Sequence, residues 1–172
     1  MTLPTHTPAP SRAGWAARPV TEADHDAVLA LFDDGDFYFR THVPDTLSQR
    51  DVLALLTDDT RLLTVDGAPV GLMAVEAMGP EHVCHHRLHL RLRGDVPRAW
   101  WREAYEEAVA ALCRRTEVVT LTVAVGAFDP LGIAVLRDDL GFEDCGLLEG
   151  TVLHRGERSG HHYFSRPRTE AR

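Results

Sequence analysis

Apolar residues recur along this chain in two patterns, one typical of strands and the other of helices. The sharpest change follows His89–Leu92, where polar and apolar residues alternate. Arg93–Pro97 interrupt that alternation, and Arg98–Leu112 then repeat at helical spacing, with Asp95 as the expected N-cap. The predicted strands are 15–20, 61–65, 68–78, 83–92, 118–125, 151–154 and 161–165. The predicted helices are 21–32, a second that begins at 46 or 48 and ends at 57, 98–112 and 129–139.

The order of these elements is β, α, α, β, β, β, α, β, α, β, β. Asp66-Gly67 between the second and third strands is a strong hairpin signal. Hairpin strands followed by a strand–helix–strand unit give a mixed sheet with helices on its faces. We therefore predict an α/β (α+β) fold. Residues 15–166 form one predicted domain, with a disordered Pro/Thr-rich lead at 1–14 and a tail at 167–172.

Composition narrows the class of protein. The 172 residues are 44% hydrophobic and carry a formal net charge of −8, which argues against nucleic acid as a partner. No apolar run reaches the length of a membrane span, and the lead lacks the apolar core of a secretory signal. The widely spaced Cys84, Cys113 and Cys145 fit reduced thiols better than a disulfide framework. We therefore expect a cytoplasmic protein.

Four stretches carry a resemblance to a known family: Ala17–Asp24, Val65–Gly71, Phe128–Phe142 and Gly146–Ser165. In order, they are similar to an opening "R-P-x-x-x-x-D" strand and helix cap, an "x-D-G-x-x-V-G" hairpin, an "N-x-x-(S/A)-x-x-x-L-x-x-x-G-F" segment, and the tail of ribosomal-protein acetyltransferases. The chain thus resembles the Gcn5-related N-acetyltransferase family, and its ribosomal-protein N-terminal acetyltransferase-like subgroup in particular. The resemblance implies a mostly antiparallel sheet with two splayed parallel strands and helices on both faces.

The resemblance also implies an activity and a co-substrate, namely acetyl transfer from acetyl-CoA to a primary amine of a small molecule or a peptide N-terminus. The pantetheine of the donor would lie between the strands 83–92 and 118–125, and its diphosphate on the turn that follows the first of them. The residues expected there are Leu90, Arg91, Leu92, Arg93, Gly94, Val96, Arg98, Ala99 and Asp129.

That turn departs from the family pattern "(Q/R)-x-x-G-x-(G/A)". Val96 and Arg98 fill the two small-residue positions, and Pro97 has no backbone N–H to offer a phosphate. The helix N-terminus still favours anions, and Arg93 and Arg98 can pair with phosphate oxygens. Two alternatives to acetyl transfer remain open: a non-catalytic domain that binds a ligand or partner, and an acyltransferase that uses another acyl thioester.

Direct acyl transfer needs a general base, because a protonated amine has no lone pair. Glu76 is the first candidate, since burial in an otherwise apolar strand would raise its pKa; the alternative is a solvated strand end. His85 and His89 are the next candidates. They lie on one face of the predicted strand 83–92, here called the stripe, which faces either the cleft or solvent. They lie about 13 Å apart along a strand, too far to share one metal ion, and no metal is expected.

The acceptor site is expected between the first two helices, because in this fold their connection overlies the cleft. Phe37, Tyr38, Arg40 and His42 would supply an aromatic wall with a cationic and a titratable group. The alternative is that the aromatic residues only anchor the loop to the core. A homodimer is expected only because dimers are common in the family.

Overall fold

The residues that the structure describes form a sheet of seven strands in the order β1-β2-β3-β4-β5-β7-β6. The computed structural model describes residues 14–167, so the predicted lead and tail lie outside the described residues apart from Gly14 and Pro167. Neighbouring strands are antiparallel except β4 and β5, which are parallel. The strands are β1 Trp15–Pro19, β2 Arg61–Val65, β3 Ala68–Ala77, β4 His85–Leu92, β5 Thr120–Gly126, β6 Glu143–His154 and β7 Glu157–Pro167.

The helices cover both faces of this sheet. Their bounds are α1 His25–Phe32, α2 Gln49–Ala54, α3 Arg98–Arg115 and α4 Pro130–Ala134, the last of which continues as a π-helical turn over Val135–Asp139. On one face, α1 and α2 pack with Leu62, Leu72 and Ala74 of β2 and β3. On the other face, α3 packs over the apolar side of β4 and β5. The predicted fold class is therefore confirmed, as is the predicted order of the strands and longer helices.

Local signals in the sequence account for several of these elements. Asp66 and Gly67 both take positive φ values, 50° and 80°, as a tight hairpin turn between β2 and β3 requires. Ahead of α1, Thr21 and Asp24 form the capping box: the Asp24 carboxylate accepts from the Thr21 N–H at 2.9 Å. Arg18 of β1 adds a hydrogen bond to the same carboxylate at 2.7 Å, which joins β1 to the start of the helical segment.

Local predictions were wrong at the start of α3 and in both strands of the last hairpin, where β7 begins at Glu157 and not at His161. Asp95 does not cap α3: Pro97 is the N-cap residue, no side chain caps the helix, and the Asp95 carboxylate is instead engaged by Arg93. Strand β6 begins at Glu143, not at Thr151. Residues 143–150 are all exposed at the edge of the sheet, so no alternation of polar and apolar residues marks them as a strand.

The parallel strands β4 and β5 separate soon after they begin to pair. Their ladder joins only His85, His86 and Arg87 to Thr120, Leu121 and Thr122. Continuing that register would place Gly126 of β5 opposite Arg91 of β4. A gap therefore opens between the two strands toward their carboxyl ends, as the resemblance implied.

Candidate active site

A buried ion pair lies at the wide end of the gap between β4 and β5. Arg91 and Asp129 are each 5% exposed, and Nη1 of Arg91 donates to Oδ2 of Asp129. The other terminal nitrogen, Nη2, donates to the backbone carbonyl of Asp36 at 2.9 Å. Arg91 therefore connects β4 to the segment that follows β5 and to the segment that follows α1.

Tyr38 completes this arrangement from the loop between α1 and α2. Its hydroxyl accepts from the backbone N–H of Gly126 at 3.0 Å and donates to Asp129 Oδ2 at 3.2 Å. Burial, followed by the negative charge of Asp129, raises the pKa of Tyr38, so the hydroxyl keeps its proton and remains a donor. The Arg91 guanidinium lies 4.7 Å from the centre of the Tyr38 ring and 5.0 Å from that of Trp101 on α3. We call the side chains of Tyr38, Arg91 and Asp129 the Tyr38–Arg91–Asp129 cluster.

Asp129 also fixes the start of α4. Its Oδ1 accepts from the backbone N–H of Gly132 at 3.0 Å, which makes it the N-cap of that helix. A Cβ atom at Gly132 would lie only 2.6 Å from Asp129 Oδ2, so the absent side chain leaves room for the carboxylate. Both oxygens of Asp129 are thus engaged by this chain's own donors.

Glu76 and His89, both candidate bases, form a hydrogen-bonded pair on the face of the sheet that carries α1 and α2. Nε2 of His89 lies 3.1 Å from Oε2 of Glu76. Burial lowers the pKa of His89; Glu76 opposes this shift by raising that pKa, whereas Arg40 adds to the lowering. The side chain of Glu76 is 43% exposed and that of His89 19% exposed, so the carboxylate is the more solvent-accessible of the two groups.

His85, the other histidine of the stripe, has a separate environment. Its Nε2 lies 3.2 Å from the hydroxyl of Thr122 on β5, at the end of the strand pair where β4 and β5 are still joined. Thr122 in turn donates to the His86 carbonyl at 3.4 Å. His85 therefore belongs to the paired part of the two strands, whereas His89 lies beside the part that has separated.

The turn after β4 keeps both of its arginines at the surface, each paired with an aspartate. Arg93 donates to Asp95 at 2.9 Å, and Arg98 donates to Asp139, at the end of the π-helical turn, at 2.8 and 2.9 Å. No acidic residue stands in the first turn of α3, which also lacks a side-chain cap. The other expected residues of this region divide into buried and accessible ones: Leu90, Leu92 and Val96 belong to the core beneath α3, while Gly94 is exposed and Ala99 half-buried.

The residues of the loop expected to hold the acceptor are likewise partly buried and partly accessible. Phe37 is 2% exposed and contacts Phe32 edge to face, and Tyr38 lies in the buried cluster, so these two aromatic side chains do not line an open wall. Arg40 donates to Thr57 at 2.7 Å and lies near His89, on whose pKa it acts. His42 packs edge to face against His161, with ring centres 5.2 Å apart.

Three residues that sequence reasoning missed hold this loop in place. The Asp36 carboxylate accepts from His154 Nε2 at 2.9 Å and from Arg155 at 3.0 Å, both at the β6–β7 turn. The His154 ring stacks on Phe128 with a centroid distance of 3.7 Å. Asp36 lies in an acidic stretch that resembles an ordinary helix end, and a partner 118 residues further along the chain leaves no local signal.

Within residues 14–167, no three His, Cys, Asp or Glu side chains come together as a metal site would require. In the same part of the chain, no helix combines the length and apolar character needed to cross a membrane.

Of the comparisons with known proteins, the one with solved structures finds matches. No protein-family model and no curated protein matches the sequence. Among solved structures, a Gcn5-related N-acetyltransferase from Kribbella flavida is 17% identical, with a TM-score of 0.69 over 90% of this chain and 98% of that one. The ribosomal-protein-alanine N-acetyltransferase from Brucella melitensis is 19% identical, with a TM-score of 0.68 over 89% of this chain and 99% of that one.

A third similar structure is the ribosomal L7/L12 alpha-N-protein acetyltransferase in complex with coenzyme A. It is 12% identical, with a TM-score of 0.72 over 90% of this chain and 94% of that one. At these identities the likeness concerns the fold. The chain therefore has the fold of the Gcn5-related N-acetyltransferases, as the four sequence stretches had indicated.

Proposed function

We propose that this protein is an N-acyltransferase that moves an acetyl group from acetyl-CoA directly to a primary amine of a small molecule or a peptide N-terminus. The observation that carries this proposal is the Glu76–His89 pair, which lies beside the separated parallel strands of an acetyltransferase fold. Ribosomal-protein N-terminal acetyltransferases are among the similar structures, which supports a peptide N-terminus as one acceptor class.

His89 is suited to take the proton of the amine. Its lowered pKa keeps the imidazole neutral at physiological pH, as a base must be. An ionised carboxylate can only accept a hydrogen bond, so Glu76 holds the proton of His89 on Nε2 and leaves the lone pair on Nδ1. In this proposal His89 is the general base, and Glu76 is a positioning residue that fixes its tautomer and orientation.

The donor would supply an acyl thioester: the neutral amine attacks its carbonyl, the C–S bond breaks, and CoA leaves as a thiolate that solvent protonates. The start of α3 fits its diphosphate, because uncapped backbone N–H groups and two exposed arginines meet there. The gap between β4 and β5 fits the pantetheine less well, because the Tyr38–Arg91–Asp129 cluster occupies its wide end. The role proposed for His89 does not depend on whether the pantetheine enters this gap.

A second candidate function has its own observation. Arg93, Arg98 and Arg91 are each paired with an aspartate of this chain, and in a donor site those positive charges would be used by the ligand. A domain of this fold that binds another ligand or a partner without catalysis would show the same pairing. Binding of the donor separates the two functions.

Calorimetric titration with acetyl-CoA is the most direct test. We expect saturable binding that Arg93→Ala and Arg98→Ala each weaken by about three- to tenfold, since each removes one charge-assisted contact whose net value is about 1 kcal/mol. Asp139→Ala should have the opposite effect, because it releases Arg98 from its present partner.

Arg114→Ala serves as the matched control, since Arg114 is an exposed arginine in the last turn of the same helix. It should leave the affinity unchanged. Absence of binding at millimolar acetyl-CoA would exclude acetyl-CoA as the donor and favour the non-catalytic domain or an acyltransferase that uses another acyl thioester.

A further inference from the structure

The wide end of the β4–β5 gap is filled by side chains of the protein itself. By the register of the paired segment, Arg91 and Gly126 face each other across the gap. The Tyr38 hydroxyl binds the Gly126 N–H at 3.0 Å, and Arg91 binds Asp129, three residues beyond Gly126. The phenol and the guanidinium together bridge the two strands at the point where strand pairing has ended.

This filling extends through the thickness of the sheet. The Arg91 guanidinium contacts the ring of Tyr38, which comes from the loop on one face, and also the ring of Trp101, which belongs to α3 on the other. Arg91 is 5% exposed, and its Nε has no hydrogen-bond partner among the described residues. The guanidinium thus occupies space in the gap in addition to forming the ion pair with Asp129.

The cluster is also difficult to displace one residue at a time. Removing either member of a buried ion pair leaves an uncompensated charge in the interior, which is strongly destabilising. Arg91 additionally holds the Asp36 carbonyl at 2.9 Å, so its departure would release the beginning of the acceptor loop. An extended chain that enters the gap must therefore compete with several contacts at once.

We infer that the Tyr38–Arg91–Asp129 cluster controls admission of the donor to the gap. The pantetheine chain of a CoA thioester occupies the gap only when the Arg91 guanidinium has left it, so the cluster holds the affinity for CoA below what the α3 N-terminus alone would allow. This inference rests on the proposed function in taking the donor to be a CoA thioester, and it names Arg91 as the residue that sets donor affinity.

The test uses the double variant Arg91→Met/Asp129→Asn, which removes both charges together and shortens the side chain in the gap. The amide oxygen introduced by Asp129→Asn would still accept from the Gly132 N–H and so preserve the cap of α4. Titration with free CoA should show at least tenfold tighter binding to the double variant than to the native chain.

Arg18→Met/Asp24→Asn is the matched control. It makes the same chemical change at another Arg–Asp pair, which joins β1 to the start of the helical segment away from the gap. This control should bind CoA as the native chain does. Arg91→Lys guards against a folding defect, because it keeps a cation beside Asp129 while removing the planar group above Tyr38; it should also bind CoA more tightly than the native chain.

Equal affinity of the native chain and both Arg91 variants, including no binding by any of them, overturns the inference. Acetyl transfer, measured separately from CoA binding, tests the proposed function. Tighter binding by the variants, with no acetyl transfer by the native chain or by the variants at saturating acetyl-CoA, supports the cluster and excludes the transferase. Acetyl transfer by a native chain that binds CoA as tightly as the variants supports the transferase and excludes the cluster as the control.

Discussion

At the scale of single residues, the chemistry of the proposed site depends on how His89 is charged. Burial lowers its pKa, which favours the neutral base, while the adjacent Glu76 raises it and Arg40 and Arg87 lower it further. The Glu76 carboxylate therefore holds the imidazole in place but raises its pKa, whereas the two arginines lower that pKa. This balance makes opposite predictions for the two kinds of neighbour.

Glu76→Gln and Arg40→Ala should move the acid limb of the pH–rate profile in opposite directions. Without the Glu76 carboxylate the pKa of His89 falls, so activity persists to lower pH, although kcat drops at least tenfold because the tautomer is no longer fixed. Without Arg40 the pKa rises, and activity is lost at higher pH. The measurement is kcat/KM for acetyl transfer between about pH 4.5 and 8, a range that spans the ordinary histidine pKa.

Affinity for acetyl-CoA should stay near that of the native chain in Glu76→Gln, which separates a defect in chemistry from a defect in donor binding. If neither substitution moves the acid limb, His89 is not the base. If Glu76→Gln leaves kcat unchanged, Glu76 has no part in the reaction.

At the scale of elements, the loop between α1 and α2 depends on the β6–β7 hairpin for its position. Asp36 binds His154 and Arg155 at the hairpin turn. The His42 carbonyl accepts from the Leu153 N–H at 2.9 Å, and Asp45 accepts from the Gly156 N–H at 2.9 Å. The two ends of the loop are thus attached to one hairpin, and the acceptor site would be shaped by both.

Asp36→Ala should loosen this attachment without unfolding the sheet. The Asp36 side chain is 47% exposed, so its hydrogen bonds are of modest net value, about 1 kcal/mol. Amide hydrogen exchange at Leu153, whose N–H binds the loop, should become about five- to tenfold faster. Asp33→Ala, at an exposed aspartate just after α1, is the control. Equal exchange in both variants would show that the backbone contacts alone hold the loop.

The elements also show which features the sequence could predict. In strands β2, β3 and β4, polar and apolar residues alternate or the residues are apolar throughout, because both faces of the sheet are packed there. Their existence and order could therefore be predicted from periodicity. Strand β6 begins among exposed residues at an edge, where no such selection acts. The hairpin at Asp66-Gly67 was predictable because its backbone conformation restricts which residues it accepts.

The site was predictable only in part, for a related reason. Strand parity placed His89 and Arg91 on one face of β4, and Glu76 of β3 lies on that same face. Parity does not distinguish an open cleft from a filled one, and Arg91 turned out to be buried against Asp129. Tyr38 looked like part of an acceptor wall, yet its hydroxyl is used by Gly126 of a distant strand.

At the scale of the whole molecule, buried histidines link folding to pH. His161 is 4% exposed, and burial, together with the neighbouring His42, lowers its pKa to about 4. An unfolded histidine has a pKa of about 6.5. Between these two values the unfolded chain takes up a proton that the folded chain refuses, so the free energy of unfolding decreases as the pH falls from about 6.5 to about 4. Below about 4 both states bind the proton and this loss is complete.

The expected loss from His161 alone is about 3 kcal/mol over that range, and His89, whose pKa is also lowered, adds to it in the same direction. His161→Asn should flatten the dependence on pH, because the side chain that must be kept neutral is gone. The measurement is urea-induced unfolding at several pH values between about 7 and about 4.5. His82→Asn, at an exposed histidine, controls for the loss of one imidazole. Parallel profiles for the native chain and His161→Asn would mean that His161 does not link folding to pH.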